Sequence, residues 1–298
     1  MPDWTILSFL LTLTVGGTVG FLSGLFGVGG GFLLVPILNV LLAVPMTLAV
    51  GSTACYTLGP ATVAVMARRP AGGFLELPLI ISGGLFSGVF LGANFLNALS
   101  DWEGLVIAGK IVPADDLFVL LSYAVLMIGI CILTFQDGLK RTKSSQTKAG
   151  LFSYWLLPPT AEIKDLQPSQ HSIPLVAWTG VVIGFLSGFL GMSGGLVLIP
   201  ACIYLLGLQV HEAATVTIVI VWLVSAQSTI LHACHNHINL PLVVSLLISG
   251  TIGAAVGAQF AGRLSASQLK VGFGTLVLLA ALIVVIRLCM LVLHGPTV

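Results

Sequence analysis

Two stretches of the chain, GFLSGLFGVGGGFLLVP (20–36) and GFLSGFLGMSGGLVLIP (184–200), agree at ten of 17 positions. Each carries a glycine cluster, GVGGG at 27–31 and GMSGG at 191–195, inside a long apolar run. A glycine in a helix interior costs about 1 kcal/mol relative to alanine, so a helix should break at each cluster. An apolar helix restarts near Phe32 and near Leu196. The first N–H groups of a helix have no intrahelical partner, and the helix dipole adds roughly half a positive charge there. Glycine lets a ligand approach those groups closely. The chemistry on offer is an anion site without a basic side chain. Hydroxyls that can donate to an oxyanion without adding charge lie nearby: Ser23, Ser187 and Ser193 in the phrases, and Ser52, Thr53, Thr215 and Thr217 in the helices that follow. With Gly27, Gly29, Gly30, Gly31, Gly191, Gly194, Gly195 and the mid-helix Gln227, they form the candidate substrate-binding set. The alternative reading makes the phrases tight turns that let two hairpins cross without a ligand.

The elements that must hold these groups are membrane helices. Hydrophobic residues make up 57% of the 298, charged residues 7%, and the mean hydropathy is +1.11. A soluble domain carries about 25% charged residues. The fold class is therefore an all-α polytopic membrane protein. Runs long enough to cross a bilayer lie near 4–26, 48–67, 78–99, 117–135, 173–190, 211–231, 240–262 and 271–293. Two shorter pieces, near 31–44 and 195–207, follow the glycine phrases and read as half-helices. Broken backbone inside a membrane is tolerated only where protein or water satisfies it. Pro36 and Pro200 would kink these half-helices or fix their starts.

The duplication extends beyond the phrases, since LAVGSTA (48–54) faces EAATVTI (212–218) and GVFLGANF (88–95) faces GAAVGAQF (253–260). This divides the chain into a first repeat, 1–136, a linker, 137–171, and a second repeat, 172–298. Lys and Arg accumulate in cytoplasmic loops. Arg68, Arg69 and the linker cations Lys140, Arg141, Lys143, Lys148 and Lys164 therefore read as cytoplasmic, and the acidic loop 100–116 as external. Inverted repeats then place nine of the 11 basic residues inside, against about eight for parallel repeats. The short pieces favour inversion, because 14 apolar residues do not span about 30 Å of hydrocarbon, and inverted repeats with broken helices are a recurrent transporter plan. The N-terminus shows no cleavable signal pattern.

Other residues have plainer readings. Gly16, Gly20 and Gly24, Gly180, Gly184 and Gly188, and Gly84, Gly88 and Gly92 are spaced by four, as helix-packing faces are. These faces could be spent within one chain or pair two copies into a homodimer. Asn94 and Gln259 read as interhelical bonds, Gln227 as either that or a substrate contact. Arg287 should snorkel to the interface. Trp4, Trp102, Trp155 and Trp178 should anchor at segment ends, while Trp222 should line the interior. HACHNHIN (232–239) has metal-competent residue types, but reads as a polar helix-end loop, with His232 the one candidate pore-lining residue. No metal, cofactor or nucleic-acid partner is expected, and the five scattered cysteines imply no disulfide framework.

The duplicated G-F-x-S-G-x-x-G-x-G-G-G phrase, the small–hydroxyl stretch and the G-x-x-x-G-A helix resemble the TauE/SafE (TSUP, DUF81) family of sulfite and organosulfonate exporters over essentially the whole chain. The resemblance implies a transporter in a bacterial inner membrane, not an enzyme. Its substrate would be a small sulfur-containing oxyanion, sulfite or an organosulfonate such as sulfoacetate. A negative-inside potential drives an anion outward by about 2.3 kcal/mol per charge per 100 mV. Ser193 departs from the duplication, standing where the first repeat has Gly29, as does TVT (215–217) against GST (51–53). Two other classes compete. GMSG (191–194) matches the G-x-S-G of rhomboid-like intramembrane serine proteases, with a histidine of 232–237 as base. An anion channel could be built from the same loops.

Overall fold

The computed structural model describes residues 6–68, 76–102, 104–107, 110–139, 150–154, 157–162, 170–261, 263–264 and 266–294. The expectations for Trp4, Arg69, Trp155 and the five linker cations lie outside these residues. Ten helices occur among the described residues. The first half holds α1 (Ile6–Phe26), α2 (Gly31–Leu41), α3 (Met46–Arg68), α4 (Glu76–Ser100) and α5 (Ala114–Leu139). The second holds α6 (Ile173–Leu190), α7 (Gly195–Tyr204), α8 (Val210–Cys234), α9 (Leu240–Ala261) and α10 (Ala266–His294). Eight are long and apolar enough to cross a membrane, and α2 and α7 are the short exceptions. The helices break at both glycine clusters, where glycine's cost is concentrated. Two small antiparallel hairpins interrupt the helical pattern. One pairs β1 (Leu105–Ile107) with β2 (Lys110–Val112), the other β3 (Thr160–Glu162) with β4 (Gln170–Ser172), inside the segment read as a plain linker.

The halves interlock. Helix α1 packs on α9, and its counterpart α6 packs on α4. At α1–α9, a Cβ on Gly20 or Gly24 would collide with the backbone of Gly250 or Ala254. At α4–α6, Gly84, Gly88 and Gly92 meet the backbones of Ala177, Val181 and Phe185 in the same way. The helices touch backbone to backbone, which only small residues permit. These glycine faces are thus used inside the chain.

The contacts also give directions. Numbers rise together along α1–α9 and α4–α6. They rise together along α3–α9, where Gly51 meets His237 and Gly59 meets Thr251. They oppose along α3–α8, where Trp222 Nε1 donates to Thr62 Oγ1 at 3.0 Å and Cys55 bonds Thr229. Helix α8 runs with α4: Gln227 meets Phe86, and His232 meets Gly188, which lies against Val89 and Ala93. So α1, α3 and α9 point one way and α4, α6 and α8 the other. Each of these helices runs opposite to its counterpart in the other half.

Lys110 Nζ donates to Leu293 O at 2.8 Å, which brings the β1–β2 hairpin to the end of α10. Large apolar side chains of the outer helices are exposed, Phe86, Phe90, Ile252 and Leu282 among them, as lipid-facing residues are.

Candidate functional site

The two glycine clusters meet at the centre. A Cβ on Gly31 would stand 2.9 Å from Gly191 O and 3.1 Å from Met192 Cα. Reciprocally, one on Gly195 would strike Val28 O. All ten cluster residues are buried.

Their backbones match position for position. Gly27, Gly29 and Gly30 have φ of 73°, 83° and 70°, and Gly191, Ser193 and Gly194 have 68°, 55° and 72°. Gly30 and Gly194 are the N-caps of α2 and α7, both left-handed and both without a side-chain cap bond. An ordinary N-cap supplies a side-chain oxygen to the orphan N–H groups. Here two half-helix N-termini are buried side by side without that oxygen.

Two helices flank the clusters. On α3, Val50 packs on Gly191 (2.6 Å from a Gly191 Cβ to Val50 O) and Thr57 on Gly29 (3.1 Å to Thr57 Cγ2). Thr53, three residues from one and four from the other, shares their helix face. On α8, Val221 lies against both clusters: a Cβ on Gly29 or Gly195 would stand 2.9 or 3.2 Å from its methyl groups. Thr217, one turn earlier, shares that face. The Thr53 hydroxyl oxygen is buried and has no hydrogen-bond partner, like the Ser187 oxygen in the last turn of α6; Thr217, also buried, bonds the Cys202 thiol of α7. An unpaired buried hydroxyl costs about 1–3 kcal/mol. Part of that cost is borne beside the clusters.

Not every expected residue faces this centre with a free donor. Ser23 is buried, its Cβ 3.0 Å from where a Gly30 Cβ would be. Ser52 accepts the Asn239 N–H at 3.1 Å, and Gln227 Nε2 donates to Phe86 O on α4 at 2.8 Å, a helix–helix bond. Thr215 is buried. Asn94 Nδ2 bonds Phe90 O within its own helix rather than joining two.

Three other expectations are corrected. Trp222 is 40% exposed rather than interior, because Thr62 holds its indole N–H at the rim. Arg287 does not snorkel: it is buried, and its Nε donates to Asn39 Oδ1 at 3.0 Å. Asn39 Nδ2 donates in turn to Val44 O, so the pair closes the end of α2. His232 is buried against protein, with one ring nitrogen 2.9 Å from Gly188 O and the other 3.3 Å from His237 Nδ1.

The sequence reading also missed residues. Tyr123 Oη donates to Leu190 O at 2.8 Å, just before the second cluster, and Ser225 Oγ donates to Ser193 Oγ at 2.8 Å. The signal for Ser225 was its helical spacing from Thr217 and Ser228. Among the described residues, Ser193 thus has a serine as its hydrogen-bond partner.

The family profile described as sulfite exporter TauE/SafE matches residues 13–284. The chain belongs to this family. It is similar to a protein named probable membrane transporter protein from Xylella fastidiosa strain Temecula1, 25% identical over 287 residues covering 95% of this chain and 97% of the relative. A relative with the same name from Haemophilus influenzae is 27% identical over 290 residues, 92% of this chain and 96% of its own. Probable membrane transporter protein YunE of Bacillus subtilis is 24% identical over 317 residues, 97% and 99% of the two chains. No solved structure matches the chain at a significant level. Family, relatives and eight membrane-length helices make this TauE/SafE member an integral membrane transporter.

Proposed function

We propose that this transporter exports a small sulfur-containing oxyanion, sulfite or an organosulfonate such as sulfoacetate, held where the two glycine clusters meet. One observation carries the reading: two half-helix N-termini, each capped by a left-handed glycine without a side-chain oxygen, are buried in contact with each other. Such ends attract anions through oriented N–H groups and the dipole. The unpartnered Thr53 and Ser187 hydroxyls supply further donors. A sulfite or sulfonate group offers three oxygens to such donors. Binding without a fixed cation leaves the anion free to depart, as conduction requires.

The opposed helix directions support an inverted pair of repeats, 1–136 and 172–298; the cations of the linker, 137–171, favour a cytoplasmic side for it, and the family resemblance a bacterial inner membrane. In that frame the β1–β2 hairpin and the end of α10 are external. A cysteine placed at His294, in a variant without native cysteines, should be labelled by an impermeant reagent from outside; labelling from inside alone overturns the topology.

The function is tested in proteoliposomes under an imposed potential, with sulfite, sulfoacetate and sulfate as cargo. Saturable flux of a sulfur oxyanion, lost in the Thr53→Val/Ser187→Ala double variant at unchanged thermal stability, is the expected result. Folded protein that moves none of the three removes the substrate class. Wild-type flux in the double variant removes the hydroxyls from the site, and flux that does not saturate makes the protein a channel.

A further inference from the structure

Helix α8 carries a polar stripe that α3, its counterpart, does not continue. Thr217, Ser225, Ser228 and His232 follow one another at helical spacing and all are fully buried. The corresponding α3 positions are Thr53, Ala61, Ala64 and Arg68. The duplication therefore does not explain the upper part of the α8 stripe.

The stripe connects two places. At one end Ser225 donates to Ser193, inside the second glycine cluster. At the other, His232 lies 2.9 Å from Gly188 O and 3.3 Å from His237 Nδ1. Between them Ser228 is buried, and its hydroxyl oxygen has no partner.

The hydrogens at His232 follow from its neighbours. A carbonyl only accepts, so the nitrogen facing Gly188 O carries a hydrogen. In neutral His232 the other nitrogen is then an acceptor, and His237 Nδ1–H donates to it. His237 Nε2 is left to take up a further proton, making an imidazolium whose bond to His232 is charge-assisted. Because Gly188 is in the last turn of α6, three residues before Gly191, a charge on this pair is felt at the cluster.

We propose that His232 and His237 form a proton-binding pair linked to the anion held at the Gly191–Gly195 cluster. The linkage rests on the anion reading above; the pair itself does not. The other titratable groups facing His237 are His235, whose ring stacks on it at 5.6 Å between centroids, and Asp101 at the end of α4. Ser52 and Asn239 beside it are neutral. Burial, reinforced by His235, holds His237 below the ordinary histidine range, and Asp101 opposes this. The empty protein therefore keeps the pair neutral near pH 7. A bound anion favours the protonated pair, and by reciprocity the proton favours the anion. Repeat one has Arg68 at the position of His232, a charge that does not titrate.

The test is a histidine NMR titration of the full-length protein in detergent, first without and then with saturating methanesulfonate, whose charge is constant across the range. Without anion, His237 should titrate below the free-histidine range, and its midpoint should move in His232→Gln, which keeps a donor for Gly188 O. An unmoved midpoint in that variant overturns the pair. With methanesulfonate, the proton affinity of the pair should rise about fivefold or more, the low end of ordinary site–site coupling. The rise should be absent in His237→Asn, whose anion affinity is followed in parallel. Measurable methanesulfonate binding with no change in the wild-type midpoint overturns the linkage. No binding of methanesulfonate or sulfite to folded protein removes the anion reading and with it the linkage, and the anion-free titration decides the pair.

Discussion

The molecule uses glycine in two ways. In the α1–α9 and α4–α6 stripes glycines four apart keep ordinary helical backbone, and what matters is the hydrogen where a side chain would be. In the clusters at 27–31 and 191–195 the backbone leaves the helix, with left-handed φ at matching positions. The stripes bring helices of different halves into contact and leave their hydrogen bonds intact. The clusters free the first backbone N–H groups of α2 and α7 from helical bonds and leave them buried. One residue type thus builds both the scaffold and the candidate site, and the difference is whether the helix survives.

The largest expected effect breaks the scaffold alone. Gly88→Leu places four heavy atoms against the backbones of Val181 and Phe185, which cannot move without separating α4 from α6. Overpacking costs about 1–3 kcal/mol even where side chains can yield. This variant should lose its monodisperse peak in size-exclusion chromatography, and a wild-type profile would show that the stripe tolerates bulk.

Thr53→Val acts on the site without the scaffold. Removing an unpaired buried hydroxyl is neutral or stabilising. The melting temperature should hold or rise while apparent anion affinity falls about ten- to a hundredfold, the loss of one charge-assisted bond of about 1.5–3 kcal/mol. A drop in stability with unchanged affinity would make this threonine structural.

Gly30→Ala and Gly194→Ala test whether the clusters are equivalent. Both φ values are near 70°, where a Cβ costs roughly 1–2 kcal/mol. The two variants should lower the melting temperature by similar amounts, read by calorimetry. Unequal losses would show that one cluster is more rigidly held.

Acidification is a smaller effect. His237 has a depressed proton affinity when folded, so the unfolded chain binds more protons below the ordinary histidine value of 6.5. Stability should fall as the pH drops from 7 through 6.5 towards the folded value, and His237→Asn should flatten that part of the profile in thermal scans. The smallest effect belongs to Ser193→Gly. It relieves a left-handed serine at φ 55° but removes the Ser225 bond, and the two nearly cancel, leaving stability within about 0.5 kcal/mol.

The span pattern and the two breaks were legible in the sequence because they rest on composition and on the local cost of glycine. So were the duplicated phrases, whose φ values agree position for position. Side-chain partners were not legible. Ser52 and Gln227 carry the right chemistry for an anion, but their bonds go to Asn239 and Phe86, on neighbours whose register no local pattern states. Arg287 near a helix end suggests snorkelling; only the fold shows Asn39 of α2 within reach. The α8 stripe was visible as spacing, yet short hydroxyls in membrane helices commonly bond their own backbone, as Thr229 does to Ser225 O. Spacing alone therefore does not separate Ser225, which reaches across to Ser193, from Thr229.

The packing of α1 on α9 has a consequence for how the protein is made. Gly20 enters the membrane early in synthesis, but the backbone it must meet, at Gly250, is still about 230 residues away. At about 5–20 residues per second the first helix waits roughly 10–50 s for its partner. During that time its glycine face is open to lipid or to any other small-residue face that drifts past. Neither half of the polypeptide can finish by itself, and α9 closes the packing that α1 begins.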